Sequence, residues 1–165
     1  MSSFSFDIVS EIDKSEVNNV FDQVKREISS RYDFKNTIAG IEWLNDNKNG
    51  FKVLGSSEMQ IEAIIDIIRK KLSARSLSQK LIDTSKDLES SNMKFSKELP
   101  FASGIDKDKA KILSNSLRAQ FPKLKITIIG ESLRVSSSSK DELQNAINKV
   151  RELDLDYPVQ FTNFR

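Results

Sequence analysis

Leu124-Lys125-Ile126-Thr127-Ile128-Ile129-Gly130-Glu131-Ser132-Leu133-Arg134-Val135 is the stretch whose reading decides the fold. β-Branched and polar residues alternate on both sides of a Gly-containing break, which is the pattern of a β-hairpin. Ser139 then stands where a helix needs a cap, with Glu142 placed to reach back to it. Leu143, Ala146, Ile147 and Val150 follow on one stripe, so the spacing predicts a capped amphipathic helix. The same unit occurs 82 positions earlier. Lys52-Val53 precedes Gly55-Ser56-Ser57 as Arg134-Val135 precedes Ser137-Ser138-Ser139, and Ser57 with Gln60 repeats the capping pair. Ile61, Ile64, Ile65 and Ile68 fall on the four stripe positions, which predicts a structural repeat.

A chain of 165 residues suits one medium domain or two small ones, and the repeat favours two. With 38% hydrophobic and 30% charged residues, there is enough apolar mass for a core in each half. No run nears the length that crosses a bilayer, and the start lacks the basic-then-apolar order of a secretory signal. A cytoplasmic protein with no membrane partner is therefore expected. Cys and His are both absent, which removes thiol nucleophiles, Ser-His and Cys-His dyads, disulfides and nearly every zinc or iron site. No Asp-rich loop of calcium-binding spacing occurs, so neither metal nor cofactor is expected. The net charge of +2 is too small to announce a polyanion partner, so the placement of the basic residues carries the information.

Phe4, Phe6 and Ile8 alternate with Ser5 and Asp7 as on a strand. From Ser15 the spacing changes: Val17, Val20, Phe21, Val24 and Ile28 predict a helix to about Ser30, capped by Asp13 or Ser15. A strand around Thr37 to Leu44, a polar turn ending in Asn49-Gly50, and a strand from Phe51 to Leu54 come next. The Ile-rich helix from Glu58 to about Ser73 ends in Arg69, Lys70, Lys71 and Arg75. That cluster suits either the negative helix terminus or a phosphate. Leu81 and Ile82 are read as a short closing strand, and the polar Asp83 to Asn92 as a domain boundary. Met93, Phe95 and Leu99 then mark a strand stopped by Pro100. Gly104-Ile105-Asp106 opens a helix with Ala110, Leu113, Leu117 and Phe121 on one face, and Pro158 to Arg165 ends the chain as a strand.

Each half reads strand, helix, strand, strand, helix, strand. The expected fold class is α+β: a tandem of two ferredoxin-like (βαββαβ) domains, residues 1–90 and 91–165, with two helices covering each antiparallel sheet. The first strand has two candidate partners, its own half or the second, because chain termini often meet.

Ferredoxin-like sheets of the RNA-recognition type stack bases on aromatic residues of their central strands. That signature is absent: Phe51 is followed by Lys-Val-Leu-Gly, and Leu133-Arg134-Val135 contains no ring. Phe4, Phe6, Phe161 and Phe164 on the terminal strands leave a weaker version of the idea, set against ordinary core packing. Arg31, Tyr32, Phe34 and Lys35 combine two cations with two rings at a helix-strand junction. They suit phosphate and base contact. They equally suit packing, with Arg31 paired to a nearby carboxylate. Ser136 to Ser139 with Lys140 could hold an anion at a helix start, although capping alone explains Ser139. No Walker-type motif and no Gly-x-Gly-x-x-Gly occurs, and the carboxylate pairs Asp106/Asp108 and Asp154/Asp156 read as surface. No catalytic residue is expected.

Ser5-Phe6-Asp7-Ile8-Val9-Ser10-Glu11, Ser30-Arg31-Tyr32-Asp33-Phe34-Lys35 and Gln160-Phe161-Thr162-Asn163-Phe164-Arg165 together resemble the bacterial YajQ family. The resemblance extends over essentially the whole chain and includes Val53-Leu54 and Gly104-Ile105. It implies tandem ferredoxin-like domains and nucleotide binding without catalysis. The ligands it implies are GTP or ATP, RNA (tRNA) and, for some members, cyclic di-GMP together with a transcription factor and DNA. Within the matching motifs, Arg31, Phe34, Lys35, Phe161, Phe164 and Arg165 have suitable chemistry and are the candidate binding residues. The alternative is a regulatory interaction module whose open sheet meets a protein partner such as a transcription factor. The chain departs from the family by a longer, Asn-rich turn at Asn45 to Gly50 and a polar connector beginning at Asp83.

Overall fold

The computed structural model describes residues 3–165. In chain order the elements are β1 (Phe4–Val9), α1 (Lys14–Ser30), β2 (Gly40–Trp43), β3 (Gly50–Gly55), α2 (Glu58–Ala74), β4 (Glu89–Ser91) and β5 (Lys94–Pro100). They continue with α3 (Lys107–Gln120), β6 (Lys125–Ile129), β7 (Ser132–Ser137), α4 (Lys140–Glu152) and β8 (Gln160–Thr162). The chain divides into a terminal unit, the residues up to Glu11 with Ser103–Arg165, and an inserted unit, Ile12–Ala102.

The terminal unit has sheet order β6-β7-β1-β8, with every pair antiparallel. Helices α3 and α4 lie on one face. This is the ferredoxin-like layout, and β1 occupies a central position in it. Of the two partners open to the first strand, β1 takes the second half. Phe6 and Ile8 are fully buried and pair with Val135 and Leu133. The helices follow the predicted stripes. Asp106 caps α3, Ser139 caps α4, and Ala110, Leu113, Leu117, Leu143, Ala146, Ile147 and Val150 are buried.

The inserted unit has sheet order β2-β3-β5-β4, also antiparallel, with α1 and α2 packed on it and on each other. Its layout matches that of the terminal unit with one strand moved. The central place filled there by the leading strand β1 is filled here by β5, which comes near the end of the unit. Asp13 caps α1 and Ser57 caps α2. The apolar face of α2 is as wide as its isoleucines require: Ile61, Ile64, Ile65, Ile67, Ile68 and Leu72 are all buried. Every repeat position of α2 is therefore buried as in α4.

Three expectations change. The division at residues 90/91 does not separate the units, because β5 pairs with β3 over six positions and belongs with the first half. The connector from Asp83 to Asn92 contains a strand, β4. It forms a hairpin with β5 through Asn92 and Met93, both at positive φ (50° and 63°). Its residues are all exposed and polar, so no apolar alternation announces them. Leu81 and Ile82 form no strand: Gln79–Leu81 is a 3-10 turn, and Ile82 makes a single bridge to Phe101.

The predicted capping pairs also differ. Gln60 Oε1 accepts from Ser56 N at 2.8 Å, whereas Glu142 Oε1 is buried with no hydrogen-bond partner.

Candidate functional site

Strand alternation sets which side of each sheet carries rings. In the terminal sheet Phe6, Ile8, Leu133 and Val135 face the helices, while Ser5, Asp7, Arg134 and Ser136 take the open side. In the inserted sheet Phe51 and Val53 are buried and Lys52 and Leu54 alternate with them. Neither open face carries an aromatic residue on its central strands, so the RNA-recognition mode of stacking has no platform there.

The six candidate residues fall into two groups, one in each unit. In the inserted unit, Arg31 donates to Asp33 from both Nε (3.0 Å) and a terminal nitrogen (2.7 Å). The bond holds the Asp33 carboxyl below its ordinary range. The same guanidinium lies 4.7 Å from the centroid of the Phe34 ring, which is only 4% exposed. The arginine is thus already engaged, and the ring, although it lines the same cleft as Lys35, is almost wholly buried. Tyr32 is 90% exposed in a 3-10 turn (Tyr32–Phe34), not a strand lead. Lys35 is exposed and, with Lys25 and Thr37, lines a cleft of about 340 Å³ along β2. The basic end of α2 is mostly paired: Arg69 with Asp66, Lys71 with Glu27 and Arg75 with Glu16.

In the terminal unit the last residues bring their rings together through a bulge. Thr162 pairs with Asp7, but the next backbone exchange joins Ser5 to Arg165, one residue later than regular alternation allows. Asn163, at φ 56°, absorbs the extra residue and donates to Asp7 Oδ2 at 2.9 Å. The Phe164 ring therefore falls beside Phe6, with centroids 5.9 Å apart. Phe161 also meets Phe6, edge-on at 5.8 Å, and the Arg151 guanidinium stands 5.4 Å from the centroid of the Phe161 ring. A continuous aromatic row results, closed at Phe161 and 64% exposed at Phe164.

Phe164 opens onto a groove of about 390 Å³ that is also lined by Phe4, Lys140, Leu143, Ile147 and Arg165. Lys140, the first residue of α4, places its ammonium 4.8 Å from the Phe4 ring. Among the described residues neither Lys140 nor Arg165 is held in an ion pair. The sequence pattern marks Lys140 only as part of a candidate anion site at the helix start. Its partnership with Phe4 and Phe164 arises from β1 lying beside α4, which no local pattern reveals. An exposed ring, a second ring and two unpaired cations around one groove can accept a flat base and its phosphate.

Among the described residues no group of three or more carboxylates could hold a metal ion, and no helix is long and apolar enough to cross a membrane.

The family model described as nucleotide-binding protein YajQ-like matches residues 4–165. A nucleotide-binding protein of Prochlorococcus marinus is 42% identical over 165 residues, covering 99% of this chain and 98% of its own. One from a Nocardioides species is 40% identical over 167 residues with complete coverage of both chains. Another, from Chloroherpeton thalassium, is 37% identical over 164 residues and 99% of each.

Proposed function

The chain belongs to the YajQ-like nucleotide-binding family, and from that premise we propose that it binds a nucleotide without catalysis in the groove of the terminal unit. The observation that carries the reading is the exposed Phe164 ring beside Lys140 and Arg165, neither of which is held in an ion pair among the described residues. The base lies against Phe164 and Phe4, and the phosphate meets Lys140 and Arg165 near the start of α4. A helix N-terminus adds backbone donors and a favourable dipole for an anion. Arg31 is the weaker candidate, because phosphate would have to displace a bidentate carboxylate. GTP, ATP, cyclic di-GMP and single-stranded segments of tRNA all present the base and phosphate that the groove requires.

The test is calorimetric titration with GTP, ATP, cyclic di-GMP and bulk tRNA at two salt concentrations, on the natural chain, Phe164→Ala, Lys140→Ala and Arg31→Ala. Base-aromatic stacking is worth about 1–3 kcal/mol, so Phe164→Ala is expected to weaken binding by roughly tenfold or more. Lys140→Ala is expected to lower affinity and flatten the salt dependence. Loss of binding in Arg31→Ala with both groove variants unchanged would move the site to the inserted unit. Silence of the natural chain across the panel would overturn nucleotide binding and turn attention to a protein partner. Turnover of any of the ligands by the natural chain would overturn the non-catalytic reading.

A further inference from the structure

A second pocket lies in the inserted unit, beneath the Asn-rich turn between β2 and β3. It has a volume of about 180 Å³ and is lined by Trp43 and Phe101 together with the polar side chains of Lys14, Asn18, Asp46, Asn47 and Lys48. One face of the Trp43 ring is covered by Phe21, stacked at 4.4 Å and 16°. A lysine side chain is also on this indole: the Lys48 ammonium stands 4.9 Å from its centroid and reaches the Asn18 carboxamide only at 3.4 Å. An ammonium over a partly exposed ring is weakly held and exchanges readily with a better partner. The turn itself is well fixed. Asn45 Oδ1 accepts from Asn49 N, Asn45 O accepts from Lys48 N, and Leu44 N donates to Gly50 O. The side chain of Lys48 can therefore swing while its backbone stays in place.

We propose that this pocket is a second ligand site, which takes one nucleobase stacked on Trp43 in the place that the Lys48 ammonium occupies. The volume is below the usual range for drug-sized ligands and close to a cavity that holds a single aromatic ring. It admits a base and leaves the sugar and phosphate at the mouth. The polar groups there match that division. The carboxamides of Asn18 and Asn47 offer both donors and acceptors to a base edge, and Lys14 with a displaced Lys48 sets two positive charges against the single carboxylate of Asp46, a balance that favours a phosphate outside. The site shares no residue with the terminal-unit groove and does not rest on it.

Trp43 is the only tryptophan of the chain, so its fluorescence reports this pocket directly. Titration of the full chain with adenosine, guanosine, cytidine and uridine, and with their 5′-monophosphates, is expected to give saturable quenching by at least one base. The monophosphate should bind more tightly than its nucleoside. In Lys48→Ala the nucleoside should bind several-fold more tightly, because the competing side chain is gone, and the advantage of the monophosphate should shrink. Unsaturable or absent quenching overturns the site, as does an unchanged nucleoside affinity in Lys48→Ala. Quenching that disappears in Phe164→Ala would belong to the groove and would equally overturn it. Persistence of quenching in that variant separates the two sites, whichever of them binds.

Discussion

Gly50→Ala tests the central pairing of the inserted unit. Gly50 opens β3 opposite Pro100, and a methyl group there would sit 2.6 Å from the Leu99 carbonyl oxygen, 2.8 Å from Pro100 Cα and 3.0 Å from a Leu44 methyl. Two of those three neighbours are backbone, so no rotamer change relieves the contact. The strands β3 and β5 must part by most of an ångström at this end of a six-residue ladder. Overpacking of a well-filled site costs roughly 1–3 kcal/mol, and backbone contacts this short place the expected loss at about 3 kcal/mol. With a urea slope of about 1 kcal/mol per molar for a unit of this size, the midpoint should fall by roughly 3 M. Trp43 fluorescence during urea unfolding is the assay, because the indole belongs to the same sheet. Gly40→Ala is the control. A methyl there meets only the Ile38 carbonyl oxygen at 3.6 Å, and the change should leave the midpoint within about 0.5 M of the natural chain. Equal midpoints for the two variants would refute the claim that the close approach at Gly50 constrains β3 against β5.

Three other outcomes are expected. Ser57→Ala and Ser139→Ala each remove a cap that accepts a backbone N–H, from Gln60 and Glu142 respectively, and each should cost about 1 kcal/mol in urea unfolding followed by circular dichroism. Phe6→Ala should cost about 3–5 kcal/mol, because the ring is completely buried and touches both Phe161 and Phe164. Phe164→Ala should cost about 1 kcal/mol or less, since most of its ring faces water, and calorimetric unfolding distinguishes the two. The Asp7 carboxyl, held below its ordinary value of 3.8 by the hydrogen bond from Arg134 and then by that from Asn163, should stabilise the terminal unit fully above about pH 4. That contribution fades as pH falls from the unfolded value through the lower folded one. Hydrogen exchange of the β1 and β7 amides should show Asp7→Asn losing this part of the acid dependence.

Periodicity and capping chemistry make the four helices of the described residues and their buried faces legible. The stripes at Ile61 and Leu143 depend only on which residues recur along one chain segment, and the cores formed where those stripes predicted. The hairpin at Gly130 was equally legible because its signal is local. The absence of Cys and His settled, from composition alone, which site chemistries the side chains cannot build.

Strand partnership was decided by the tertiary structure. Alternation says that Phe4, Phe6 and Ile8 share a face but carries no information about the neighbouring strand. β1 joined β7 and β8, and β5 took the corresponding central place in the other sheet. Strand β4 leaves no mark in the sequence pattern, because an exposed polar edge strand has no apolar face to repeat. The same physics governs the candidate site. The sequence supplied Phe164 and Arg165 as residues of suitable chemistry, but their meeting with Lys140 and Phe4 required an antiparallel pairing across most of the chain and a bulge at Asn163. Local patterns determine what a segment becomes, because they depend on backbone and side-chain geometry within a few residues. Which segments meet depends on the packing of complete faces, and that exists only once the chain has folded.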